Sequence, residues 1–187
     1  SQDELIRHFR AIAGATELPL LVYSNPGRTG VPLRPATVRA LADVDGIVGL
    51  KDSSGDLGLT ADYIRQTPDG FAVLVGRDTL IYPALCVGAA GAIASTANIA
   101  PALAAQIYQA HRAGRHERAL ELQNQLAPLR ALVDRATFPV VLKEGLRLVG
   151  VEAGWCLEPA RDLAAADRAQ LAQVIAGLPR LEAAAQH

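Results

Sequence analysis

The sequence predicts an α/β fold built from four βα units, followed by a helical C-terminal region. Three observations carry this. Short apolar runs recur at Leu18 to Tyr23, Gly46 to Lys51, Phe71 to Gly76 and Ala90 to Ser95, with starts about 20 to 28 residues apart. Helical patterns fill the gaps between them. After Ser95 the pattern becomes wholly helical. The runs are apolar almost throughout rather than alternating, as in parallel strands covered on both faces. Right-handed crossovers are the expected connection. Four such units are half of what a (β/α)8 barrel contains. Left alone, a four-stranded sheet would carry two apolar edge strands without partners.

Each element has a local reason. Ser1 and Glu4 have the spacing of a capping box, and Leu5, Phe9, Ile12 and Ala13 then recur at helical spacing. Pro35 suits the first turn of a second helix with Val38 and Leu41 on its inner face. Leu57 to Arg65 and Leu80 to Val87 supply two more. Asp52, Ser53, Ser54 and Asp56 can shape a pocket, and Ser and Asp before Leu57 equally fit a helix start; Asn98 and Pro101 read as a helix entry. Beyond these, helices are expected over Pro101 to Ala113, His116 to about Arg135, Pro139 to Val149 and Ala166 to Gly177. The terminal stretch RLEAAAQH is expected to fray. This divides the chain into 1–100, the barrel units with the candidate nucleophile, and 101–187, the last barrel helix and the helical region.

Half of the 187 residues are hydrophobic, a fifth are charged, and the formal net charge is -1. Such a chain has ample apolar surface for a core. The balanced charge and only eight aromatic residues give no footprint for nucleic acid. No run reaches the roughly 18 apolar residues that cross a bilayer, and the N-terminal stretch lacks a signal-peptide core, so the expected location is the cytoplasm. Cys86 and Cys156 stand 70 positions apart without a paired Cys or His and read as small buried hydrophobes. His8, His111 and His116 read as surface or helix-end residues. Lys143, beside Glu144 and Arg147, reads as the solvated part of an amphipathic helix.

The basic residues are more telling than their sum. Sixteen of the eighteen are arginine, and Lys51 and Lys143 alone are lysine. A guanidinium stays protonated, whereas a desolvated amine can lose its proton and attack a carbonyl. Lys51 ends an apolar run where a parallel strand meets its ligand-binding end. Also at these ends are Tyr23, Gly76 with Asp78, and the segment Ile93 to Thr96. Lys51 and Tyr23 can therefore be a nucleophile and a proton shuttle, as Schiff-base chemistry needs. They can equally be a snorkelling lysine and a packing tyrosine.

The segments LPLLVYSNPGRTG, IVGLKDSSGD, FAVLVGRD and GAAGAIASTANIAP, with SQDELIRHFRAIA and FPVVLKEGLRLVG, together resemble the dihydrodipicolinate synthase/N-acetylneuraminate lyase family of pyruvate-dependent class I aldolases. The order and spacing of the segments match over nearly the whole chain. The resemblance implies a (β/α)8 barrel with a C-terminal helical region, usually a homotetramer, of which this sequence matches the part after the fourth strand. It implies that Lys51 forms an imine with pyruvate and that Tyr23 shuttles protons. It further implies that Arg28 in GRTG holds the carboxylate of a second substrate, and that Gly76 and Ile93 line the pyruvate pocket. No metal or organic cofactor is implied, because the imine is the electron sink. The family commonly has Asn after the tyrosine, where this chain has Ser24 and then Asn25; loop hydrogen bonds should adjust. The hydroxyl residues for the pyruvate carboxylate and a second tyrosine belong to the first barrel half and have no substitute here.

Within the resemblance, the match at Arg28 implies a synthase that condenses pyruvate with L-aspartate semialdehyde in lysine biosynthesis; an ordinary loop arginine is the other reading of that residue. An aldolase for a 2-keto-3-deoxy sugar acid is the enzyme alternative. The third expectation is a non-catalytic truncated product, or a half-barrel that needs a copy of itself or a separate N-terminal half.

Overall fold

The computed structural model describes residues 1–179; the fraying expected of RLEAAAQH lies outside the described residues. The chain forms two compact units, Ser1–Ile93 and Ala94–His187. The first unit runs α1 (Gln2–Ala13), β1 (Leu20–Ser24), α2 (Pro26–Thr29), α3 (Pro35–Ala42), β2 (Ile47–Asp52), α4 (Leu57–Gln66), β3 (Ala72–Val75), a 3-10 turn at Asp78–Leu80, α5 (Ile81–Cys86) and β4 (Gly91–Ala92). The strands are parallel and ordered β1-β2-β3-β4.

The local rules hold at the helix starts. The capping box at Ser1 and Glu4 is present, and α3 begins on Pro35. Asp56 caps α4 by accepting from the Leu59 N–H at 3.1 Å, an interaction typically worth about 1 kcal/mol. The four-residue helix α2 was not expected; Pro26 starts it, and Gly30, at φ +71, ends it by donating to the Pro26 carbonyl. The fourth run, expected over six residues, pairs only over Gly91–Ala92, because after Ile93 the backbone turns into the 3-10 turn Ser95–Asn98.

Side-chain alternation decides what the sheet buries. Val22, Leu50, Val73 and Val75 point to one face and are at most 2% exposed. There Val22, Leu50 and Val73 meet Val38 and Leu41 of α3 and Tyr63 of α4, with Leu5, Ile6 and Phe9 of α1 at the margin. Each such side chain gains about 1.5 to 3 kcal/mol from burial. The opposite face differs from the expectation of a sheet covered on both sides: Leu21 is 44%, Tyr23 49% and Ile93 43% exposed. Crossovers of one hand between strands in sequential order put every connecting helix on the same side, so four units leave the other side open.

Gly49 permits this sheet to form. A Cβ there would stand 2.3 Å from the Ala72 carbonyl oxygen and 2.7 Å from Leu21 Cδ2, so only glycine lets β2 and β3 pair in this register.

The second unit contains the 3-10 turn and four helices among its described residues: α6 (Pro101–Arg112), α7 (His116–Val133), α8 (Val140–Leu148) and α9 (Ala165–Gly177). Leu103 and Ile107 of α6 and Leu122, Leu126 and Leu129 of α7 are almost fully buried, as is Leu171 of α9. Two expectations need correction here and in α5. Glu144 is buried rather than solvated, because Arg147 and Arg168 bind it at 2.7 and 2.6 Å, while Lys143 donates to the Trp155 carbonyl at 2.7 Å. Cys86 is exposed and Cys156 only partly buried. Cys86 ends α5, whose inward positions are taken by Ile81, Ala84 and Leu85. His111 and His116 do lie at helix ends, and His8 is on the surface of α1. No described helix is long and apolar enough to cross a membrane.

Candidate active site

The parallel register puts Tyr23 directly beside Lys51, and Lys51 beside Leu74. All three belong to the open face, one residue short of the C-terminal ends of their strands. The Lys51 ammonium nitrogen lies 4.2 Å from the centroid of the Tyr23 ring. That contact fixes the side chain of a half-buried lysine over its neighbour, since a cation is drawn to an aromatic face.

Two residues hold the phenol oxygen. Asn25 donates to it from Nδ2 at 2.9 Å, and the Ser53 hydroxyl donates at 3.4 Å. From sequence, Ser53 reads as shaping the pocket or as part of a helix start and Asn25, after Ser24, as adjusting loop hydrogen bonds; neither is tied to the phenol there. The signal was available: each lies two residues beyond a candidate, Asn25 after Tyr23 and Ser53 after Lys51, and a period of two returns a side chain to the same face. Ser24, in the position expected to alter loop hydrogen bonding, is buried on the helix face instead. Asn25 is the residue that reaches the phenol.

Burial alone would raise the Tyr23 pKa. The Ser53 hydrogen bond, the Lys51 charge and the Asn25 hydrogen bond outweigh it, and the phenol sits below its usual range. Tyr63 behaves oppositely: burial first, then the charge of Asp52, push it up to about 12. For Tyr23, a folded pKa below the unfolded one means that its contribution to stability is complete above the unfolded value of about 10 and is lost as pH falls through the folded value. Ser53→Ala should move the Tyr23 ionisation to higher pH in an ultraviolet absorbance titration, with Tyr23→Phe identifying the transition. An unchanged transition would separate Ser53 from the phenol.

Gly76 makes room for the group. A Cβ on it would stand 1.9 Å from Ser53 Oγ and 3.0 Å from Lys51 Cε, so the backbone approaches both side chains as no other residue would allow. Its N–H donates to the Asp52 carbonyl, and β2 and β3 stay joined to their ends. Behind them Asp52, 2% exposed, accepts from Ser54 N, Ser54 Oγ and Thr60 Oγ1 at 2.9, 3.0 and 2.7 Å. A buried carboxylate is tolerable with this many donors, and here it anchors the loop carrying Ser53. Ile93 donates its N–H to the Val75 carbonyl at 2.8 Å and leaves its side chain on the open face. Arg28 lies on α2, beyond the end of β1, and is exposed. Tyr23, Lys51, Gly76 and Ser53 are thus brought into one cluster; Arg28 and Ile93 stand at strand ends on either side of it.

The dihydrodipicolinate synthetase family model matches residues 1–177. This chain belongs to that family. Among curated members of the family, a 4-hydroxy-tetrahydrodipicolinate synthase of Archaeoglobus fulgidus is 41% identical over 152 residues, covering 81% of this chain and 53% of that protein. The dihydrodipicolinate synthase DapA-2 of Bacillus anthracis superposes with a TM-score of 0.92 at 33% identity, covering 96% of this chain and 62% of that one. A prophage protein of the family from E. coli K12, solved in complex with pyruvate, gives 0.87 at 30% identity over 95% of this chain and 62% of its own. The chain therefore spans little more than half the length of the relatives it matches, and its four parallel βα units correspond to half of their barrel.

Proposed function

We propose that this chain carries the amine site of a Schiff-base lyase acting on pyruvate, with Lys51 as nucleophile and Tyr23 as proton shuttle. One observation supports it above the others: the amine lies against the ring of a tyrosine whose hydroxyl is held by two donors and whose pKa is lowered. Lys51 Nζ would add to the keto carbon of pyruvate, and the carbonyl oxygen would leave as water. Loss of a methyl proton would then give the enamine, whose carbon attacks an aldehyde. Tyr23, able to give and regain a proton, would relay protons to the departing water and to the new alkoxide. Arg28 would hold the carboxylate of the second substrate, and Gly76 and Ile93 would flank the bound pyruvate.

The reaction that fits family membership best is 4-hydroxy-tetrahydrodipicolinate synthesis from pyruvate and L-aspartate semialdehyde, a step of lysine biosynthesis, performed by a cytoplasmic homotetramer. In that reaction the amine of the semialdehyde displaces Lys51 from the keto carbon, closing the ring. In the division of labour proposed, residues 1–100 supply the chemistry and 101–187 the last barrel helix and helical region. Incubation with both substrates and mass analysis of the product provides the test. A heterocycle is expected; pyruvate released from a 2-keto-3-deoxy sugar acid, with no heterocycle, would transfer the chain to the aldolases.

The open sheet face favours a second reading of how the chain works. Turnover would then require that face, and the outer edges of β1 and β4, to be covered by a second copy or by a separate N-terminal half. An active, monodisperse monomer in light scattering would overturn it.

A further inference from the structure

Three residues, Ala113 to Arg115, join α6 to α7 in the second unit. Gly114, at φ +70, ends α6 in the left-handed conformation. Its N–H donates to the His111 carbonyl at 2.9 Å, and the next N–H, of Arg115, reaches back to the Ala110 carbonyl at 2.8 Å. These two bonds are the Schellman pattern, which favours glycine because a side chain disfavours that φ. Arg115 then heads α7, its carbonyl accepting from Ala119 N at 3.0 Å. The turn brings together two side chains that stand five positions apart in sequence. His111, in the last turn of α6, and His116, the first residue of α7, have ring centroids 5.4 Å apart and ring planes at 77°. One ligating nitrogen of each lies within 4.8 Å of the other. Two nitrogens on a tetrahedral zinc stand about 3.3 Å apart, given zinc–nitrogen bonds of about 2.0 to 2.1 Å. A small side-chain rotation of the exposed His116 is enough to close the pair onto one ion.

We infer that His111 and His116 form a binding site for a divalent transition-metal ion of the zinc and copper(II) class. The backbone bonds of the turn hold the two residues at a fixed spacing before any ion arrives, so little ordering is left for binding to supply. Imidazole nitrogen suits zinc and copper, whereas magnesium and calcium take oxygen ligands. Arg112 and Arg115 flank the pair in sequence and oppose a cation held by charge alone. A coordinate bond from imidazole withstands that opposition, which sharpens the choice of metal. Two protein ligands leave the other positions on the ion to water. The inference does not depend on what Lys51 does.

Zinc is titrated by calorimetry into the full chain and into His111→Ala, His116→Ala and His8→Ala. The parent and His8→Ala should bind alike, and each of the other two about tenfold more weakly or less still. Zinc should raise the melting temperature of the parent and leave that of His116→Ala unchanged. Copper(II) on the parent should show coupling to two nitrogens in electron paramagnetic resonance, and to one in His116→Ala. Because His116 is exposed, His116→Ala carries the test even where His111→Ala loosens the helix end. No zinc binding by the parent at millimolar metal, or equal binding by the parent and His116→Ala, overturns the inference and leaves an edge-to-face ring contact. Copper coupled to a single nitrogen in the parent overturns it as well, since that describes one ligand and not a pair.

Discussion

Incubated with pyruvate and borohydride, the parent chain should gain the mass of one reduced pyruvyl group, and Lys51→Ala should gain none. Borohydride reduces the imine to a stable amine, so the readout is the bond itself and needs no second substrate. The chain suits the experiment because Lys143 is its other lysine. That amine donates to the Trp155 carbonyl and belongs to the second unit, so Lys143→Ala should label like the parent. Lys51→Arg should fail as completely as Lys51→Ala, since a guanidinium keeps the charge but offers no free amine. An adduct surviving on Lys51→Ala would refute the assignment. A well-folded parent without an adduct would show that the open face cannot bring pyruvate to the amine unaided.

Gly76→Ala is expected to have the next largest effect, and on two quantities at once. The added methyl would overlap Ser53 Oγ at 1.9 Å and crowd Lys51 Cε at 3.0 Å. Overpacking of this kind typically costs about 1 to 3 kcal/mol. A shorter unfolding midpoint in urea and loss of most of the trapped adduct should therefore appear together. Removing the hydroxyl that is struck should relieve part of the strain, so Gly76→Ala combined with Ser53→Ala should be more stable than the sum of the single changes predicts. Strict additivity would mean that the two residues are not in contact in solution.

Much of this arrangement was legible in the chain. The strands could be read because parallel strands are nearly continuous apolar runs, and Lys51 stood out because arginine is the cation used almost everywhere else. Pairing was not legible in the same way. That Tyr23 sits beside Lys51 depends on the irregularity between Leu20 and Leu21, where the register against β2 shifts by one, and no composition rule places such a shift. The openness of one sheet face was missed for a related reason: Leu21 and Val48 look like core residues, yet each is 44% exposed. Hydrophobicity records that a face needs covering without saying whether these residues supply the cover. Glu144 was misread because its arginine partners lie three and 24 positions away, and only the first is visible as a helical neighbour.

The alternation along β2 has a consequence for how this chain can change over evolutionary time. Leu50 and Asp52, both buried, flank Lys51 and face the helices. A slip of one residue in this strand would drive the amine into the apolar layer and turn Leu50 and Asp52 outward, losing the proposed nucleophile and the core together. Selection for a stable fold therefore also guards the position of the amine, even in a lineage where catalysis has ceased to matter. Drift in such a lineage should erase the outward-facing groups, Tyr23, Asn25 and Ser53, long before it disturbs the strand that displays the lysine.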